Sequence, residues 1–236
     1  MISKRILTGL LATAGLSGVA TAALTTAELP FRVEMGGSPI GQHSVRFEQR
    51  GDELHAFVDI AFDVGFAFIT IYEYEHSNHE VWRDGRLIAI DTETNDDGER
   101  FTVSGRATAD GFRVEGSEGV LNLPADIKPS SYWNPATLTA ETLLDTQKGR
   151  VLDADFAAMG RDRIETQSGA RIDACRFAMS GDLDLDIWYD DQGRWVRMAF
   201  SFGGNDFEYK LLADETAVRL ASALSAVDAP TDACAS

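Results

Sequence analysis

The chain has 236 residues, with 38 acidic against 21 basic side chains and a formal charge of −17 at neutral pH. That surplus repels nucleic acid and anionic membrane surfaces, so neither is expected as a partner. Apolar residues make up 44% of the chain, enough for a sizeable core, and no Pro/Gly/Ser-rich linker divides it, which points to one domain.

Residues 1–22 read as a signal peptide. Lys4 and Arg5 precede an uncharged run from Ile6, and Ala20-Thr21-Ala22 suits signal peptidase. The mature protein is expected to begin near Ala23, periplasmic or secreted, and losing Lys4 and Arg5 takes its formal charge from −17 to −19. Gly9, Gly15 and Gly18 dilute the run below what an anchor needs, and no later stretch resembles a membrane span. No stable membrane insertion is therefore expected after cleavage.

Residues 23–212 read as mainly β: one long antiparallel meander curled into a half-barrel or incomplete barrel, with a short crossover helix and a C-terminal helix. Turn signals such as Gly51-Asp52, Asp84-Gly85, Asp97-Gly98, Asp110-Gly111 and Gly203-Gly204 separate runs rich in β-branched and aromatic residues. A meander of this length exposes two edges unless it bends.

The stretch "FVDIAFDVGFAFITIYEY", 57–74, is apolar on both parities, and Gly65 is expected to mark a bulge. On the concave side of a curled sheet, Phe62, Phe66, Phe68 and Tyr72 would line a pocket for an apolar ligand; ordinary core packing is the alternative. Next comes "YEYEHSNHE", 72–80, which gathers Glu73, Glu75, His76, His79 and Glu80. In an extended strand His76 and His79 point to opposite faces, so no metal site is expected there. The Asp84-Gly85 turn should place Trp82 opposite Leu87 and Val81 opposite Ile88.

In residues 124–146, Pro124, Pro129 and Pro135 exclude a central strand, and "PATLTAETLLD" suits the crossover helix. The stretch "GDLDLDIWYDDQGRWVRMAF", 181–200, reads as a hairpin about a loop at 190–193. Leu183, Leu185 and Ile187 would then face Phe200, Met198 and Val196, and on the reverse side Asp186 would meet Arg197 and Trp188 would meet Trp195. Its alternate aspartates stand nearly 7 Å apart along a strand and cannot converge on calcium. The domain ends in a tail, 213–236, where "ADETAVRLASALS" suits the C-terminal helix, capped by Asp214. Cys175 and Cys234 are the only cysteines, and in an oxidising compartment they are expected to form a disulfide.

The combination "SYWNPATL", "LLDTQKGR", the 181–200 stretch and "FEYKL" resembles an uncharacterised family of exported proteobacterial proteins, the domain of unknown function numbered 6134. The likeness spans roughly residues 30–212 and rests on Ser131, Tyr132, Trp133, Asn134, Leu144, Asp145, Thr146, Gln147 and Gly149. It implies an exported protein with one large curved antiparallel sheet, similar to the half-barrels of lipoprotein carriers, and it implies no activity. By their own chemistry, Tyr132, Trp133 and Asn134 either lock the crossover in place or form the rim of the ligand pocket.

No G-x-S-x-G elbow or phosphate-cradling glycine loop occurs, so no catalytic residue, cofactor or metal is assigned. The expected function is a periplasmic, non-enzymatic binding or carrier protein for an apolar small molecule or lipid. The alternative is a structural module that contacts another envelope protein, with a hydrolase built on His76, His79 or the aspartates third.

Overall fold

The computed structural model of this chain describes residues 26–66, 69–166, 169–212 and Cys234. Its strands are β1 (Thr26–Met35), β2 (Ser38–Arg50), β3 (Glu53–Phe66), β4 (Ile69–Arg83), β5 (Arg86–Asp96), β6 (Glu99–Ala107), β7 (Phe112–Gly116), β8 (Gly119–Leu123), β9 (Lys128–Pro129), β10 (Thr142–Leu144), β11 (Val151–Glu165), β12 (Arg171–Gly181), β13 (Leu185–Asp190), β14 (Trp195–Phe202) and β15 (Asn205–Leu211). They form one mixed sheet in the order β8-β7-β6-β5-β4-β3-β2-β1-β15-β14-β13-β12-β11-β10-β9. Two runs of consecutive strands thus join where β1 pairs with β15.

Turn chemistry sets the registers. Asp84 and Gly85 both take positive φ, 49° and 71°, the mirror-image turn whose twist suits a two-residue hairpin. Trp82 faces Leu87 as the turn predicts, but Val81 faces Ala89, because a bulge accommodates Ile88. A second irregularity falls between Val64 and Gly65, where the sequence places it. Alternation buries one face: Ala27, Leu29, Phe31 and Val33 on β1, and Ala56 and Val58 on β3.

The buried face is the inside of a curl. Phe62 on β3 touches Tyr209 on β15, their ring centroids 6.2 Å apart. Ser117, in the β7–β8 turn, donates its backbone N–H to the carbonyl of Lys148 in the β10–β11 turn at 2.8 Å. Here Gly116 and Gly149 approach so closely that a Cβ on Gly116 would stand 2.7 Å from the Gly149 Cα. Both edges of the sheet therefore come round to one loop without a ladder joining them, which is an incomplete barrel.

The 124–146 segment corrects one expectation. In place of a helix it holds a 3₁₀ turn, Pro135–Thr139, between β9 and β10, which pair in parallel. The physical reason lies in short-range capping: Asn134 Oδ1 accepts from Ala136 N, and Thr139 Oγ1 donates to Ala136 O, closing the turn after five residues. Leu143 and Leu144 then enter the interior as a short strand. The expected C-terminal helix and the signal peptide lie outside the described residues.

The 181–200 hairpin is real, but its register differs. Tyr189 faces Trp195, Trp188 faces Arg197 and Ile187 faces Met198, so Trp188 and Trp195 stand on opposite faces and Asp186 does not meet Arg197. The turn explains the shift. Asp190 Oδ1 accepts from the backbone of Gln192 and of Arg194, holding residues 190–194 as the loop, and a bulge follows between Trp188 and Tyr189. Asp186 instead binds Arg176 through both carboxylate oxygens. Leu183 precedes the strand and is exposed.

Cys175 on β12 is bonded to Cys234, with Cα atoms 6.0 Å apart and a separation of 59 positions in sequence. Replacing both cysteines by alanine is expected to lower the unfolding free energy by about 2–4 kcal/mol. Guanidinium melts of the oxidised protein and the double variant check this, and coincident midpoints would refute it.

Candidate functional site

The inner face divides into two ends. At one, the crossover is packed down. Trp133 is 1% exposed and meets the rings of Phe47 at 5.0 Å and Trp82 at 5.4 Å, so the space beneath it is filled. Tyr132 is buried with φ at +60°, a strained conformation for a non-glycine residue. Its carbonyl accepts from the Tyr189 hydroxyl at 2.6 Å, which ties the crossover to β13. Asn134 is buried too and caps the 3₁₀ turn.

Glu80 lies beneath this crossover with no exposed surface. Oε2 accepts from the indole N–H groups of both Trp82 and Trp133 at 2.9 Å, and Oε1 accepts from the Asn78 amide at 2.8 Å. Burial pushes its carboxyl above the usual carboxylate range, while these donors and the Ser131 hydroxyl work against that shift. Asp145 anchors the same region: its oxygens accept from the backbone of Gln147 and Lys148 and from Arg150 Nε. Asp190 makes the equivalent set in its own turn, where Arg194 Nε completes it. These two aspartates serve turn geometry.

The opposite end carries half-buried aromatic rings. Phe62 stacks on Tyr74 at 5.4 Å and touches the buried Tyr209, which leads to Phe200 at 6.1 Å and on to Phe207, 4.9 Å further. Between the two ends lies a layer of polar rings. His43, 4% exposed, packs among Phe31, Trp195 and Tyr209, and neither ring nitrogen has a hydrogen-bond partner. Burial lowers its pKa to about 3, with the nearby His76 adding to the effect. His76 bonds Thr94 Oγ1 at 2.8 Å and is lowered by burial to about 4, so both imidazoles are neutral at physiological pH.

Of the residues singled out in the sequence, Phe62 belongs to this aromatic run, and Tyr72 is half-buried near it with its hydroxyl on Asp96 at 2.7 Å. Tyr132, Trp133 and Asn134 sit at the crossover end. Phe66 ends β3, and Phe68 lies outside the described residues. Tyr74, Phe200, Phe207, Tyr209 and His43 were not among the pocket residues expected from the sequence; the alternate aromatic positions in "MAFSF" and "DFEYKL" are the signal that could have found three of them. His76 faces inward and His79 outward, where its Nε2 lies 2.9 Å from His55 Nδ1. Among the described residues no group of three or more His, Cys, Asp or Glu is placed to hold a metal.

The outer face of β2–β6 carries a shallow groove of about 530 Å³ whose lining mixes polar side chains such as Asp59, Glu75, Glu93 and Arg100 with Ala61 and Phe101. The family described as domain of unknown function DUF6134 matches over residues 31–212. The chain belongs to this family. No relative among curated proteins matches it. A solved structure that resembles the DUF6134 domain is the beta-barrel-like protein of domain of unknown function DUF1849 from Brucella abortus. The two share 12% identity over 80% of this chain and 96% of that one, with a TM-score of 0.56. At that identity the likeness concerns the fold. Among the described residues of the DUF6134 protein, no helix is long and apolar enough to cross a membrane.

Proposed function

We propose that this protein is a periplasmic, non-enzymatic binding or carrier protein that holds an apolar ligand against the inner face of its curled sheet. The observation that carries this reading is the cluster of Phe62, Tyr74 and Phe200 around the buried Tyr209, three rings that the sheet half-covers at one end while the crossover seals the other. An aromatic surface left half-covered inside a curved sheet suits a ligand that completes its burial. Tyr72, Tyr132, Trp133 and Asn134 are assigned to the surroundings of this wall. The incomplete barrel is compatible with such a role, and the export signal and disulfide support a location in the envelope.

Native mass spectrometry of protein isolated from its own periplasm tests the proposal. A co-purified lipid or other apolar molecule is expected, lost when Phe62 and Phe200 are both replaced by serine. Ligand-free protein, with no change in Trp fluorescence on adding apolar compounds, would sink the reading.

A second reading has its own observation. β10 covers only Val151–Asp153 of β11, so from Ala154 to Glu165 the outer edge of β11 has no strand neighbour among the described residues. A free edge is a template for strand addition. Envelope crosslinking through residues of this edge, in protein that binds no small molecule, would favour a module that contacts another protein.

A further inference from the structure

The polar layer beneath the aromatic end holds hydrogen-bonding groups that the fold leaves unused. A neutral imidazole has one donor and one acceptor nitrogen, and leaving such groups buried and unpaired is costly. His43 leaves both unpaired at 4% exposure. Its neighbour Tyr209, 5.5 Å away ring to ring, is 5% exposed, and the Tyr209 hydroxyl has no hydrogen-bond partner among the described residues. The same holds for the Tyr74 hydroxyl. Other tyrosines of the interior differ: Tyr72 donates to Asp96, Tyr132 to Met179 Sδ and Tyr189 to the Tyr132 carbonyl. Phe62 touches both Tyr74 and Tyr209, so the unused groups adjoin the aromatic wall.

We propose, resting on the binding reading above, that the ligand is an apolar molecule with an uncharged hydrogen-bonding head, such as an alcohol, ketone or ester, and that His43, Tyr74 and Tyr209 receive this head. The charge balance of the layer decides against ionised heads. A carboxylate or phosphate would need a buried cation, and the imidazoles of His43 and His76 stay neutral. An ammonium would need a free carboxylate, whereas Asp145 is taken by Arg150 and Asp96 by Tyr72 and Gln147. A neutral imidazole and two phenols can both donate to and accept from a carbonyl or hydroxyl oxygen without any ionisation.

The test uses the exported protein with the apolar fluorescent probe N-phenyl-1-naphthylamine at pH 7.5. Dodecanol, 2-dodecanone, dodecanoate and dodecylamine compete for it. The alcohol and the ketone are expected to displace the probe about tenfold more tightly than either charged chain, the effect of one well-made hydrogen bond. Tyr209→Phe, which keeps the ring, should erase most of that preference among the four competitors, and His43→Phe should do the same. Equal displacement by all four compounds, or tighter binding of a charged chain, overturns the neutral-head proposal and leaves the carrier reading standing. Failure of the wild-type protein to bind the probe or any competitor sinks both.

Discussion

Lowering the pH from 7 to 4.5 is expected to strip this protein of a large share of its stability, through His43 and His76. The sign follows from the direction of their shifts. In the unfolded chain both titrate near 6.5, whereas in the folded protein burial holds them at about 3 and about 4. Between those limits the unfolded chain takes up protons that the folded one refuses, so stability present above pH 6.5 drains as pH falls. Each histidine then contributes a loss of about 2–3 kcal/mol by pH 4.5, against a typical total of about 5–15 kcal/mol. Glu80 acts in the opposite sense. Its pKa is raised in the folded state, so its contribution is fully present below the unfolded carboxylate value and lost as pH rises through the folded one. Denaturant melts at pH 7.5, 6.5, 5.5 and 4.5 measure the balance. His43→Phe should remove about half of the acid loss, and an unchanged pH profile in that variant would refute the assignment.

The second large effect lies at the Trp133–Glu80 contact. Trp133→Ala removes a fully enclosed indole and is expected to destabilise by about 3–5 kcal/mol. It also strips Glu80 of one of its two indole donors. Glu80→Gln separates the electrostatic part from the packing part. A carboxylate accepts at both oxygens, but an amide would aim its NH₂ group at the indoles or at the Asn78 amide, so a loss of about 2–3 kcal/mol is expected without any change in volume. A double-mutant cycle of Trp133→Phe with Glu80→Gln should give a coupling of about 1–2 kcal/mol. Additive single effects would show that the hydrogen bond carries no net stability. Because the crossover bridges both halves of the sheet, its loss should also loosen the curl. Increased hydrogen exchange at Thr92 and Tyr189, each bonded to the crossover by its side chain, would register that.

Local chemistry explains why some of this architecture was legible early. The Asp84-Gly85 pair, both residues at positive φ, has few alternatives to a tight hairpin, so Trp82 opposite Leu87 followed directly. His76 and His79 are three residues apart in a strand, and a period of two sends them to opposite faces whatever the sheet does. Gly65 broke an apolar run at a place where only a bulge reconciles the two parities. The 181–200 register failed for an equally local reason that composition does not disclose. Asp190 can hold a loop of four or five residues, and the choice fell to its hydrogen bonds with the Gln192 and Arg194 backbone.

Taken alone, then, the residues point to a meander of hairpins, a cysteine pair and a crossover that prolines keep out of the central sheet. Those are consequences of backbone dihedrals and nearest neighbours. Only the tertiary structure decided that Asn78, Glu80 and His43 face inward, because along a strand two polar parities look alike until curvature buries one of them. It alone brought Trp133 over Glu80, 53 residues away in sequence, and set Phe62 against Tyr209 across the junction of β1 and β15. Such contacts depend on how far the sheet curls, and the curl is the sum of many small twists that no single stretch of residues encodes.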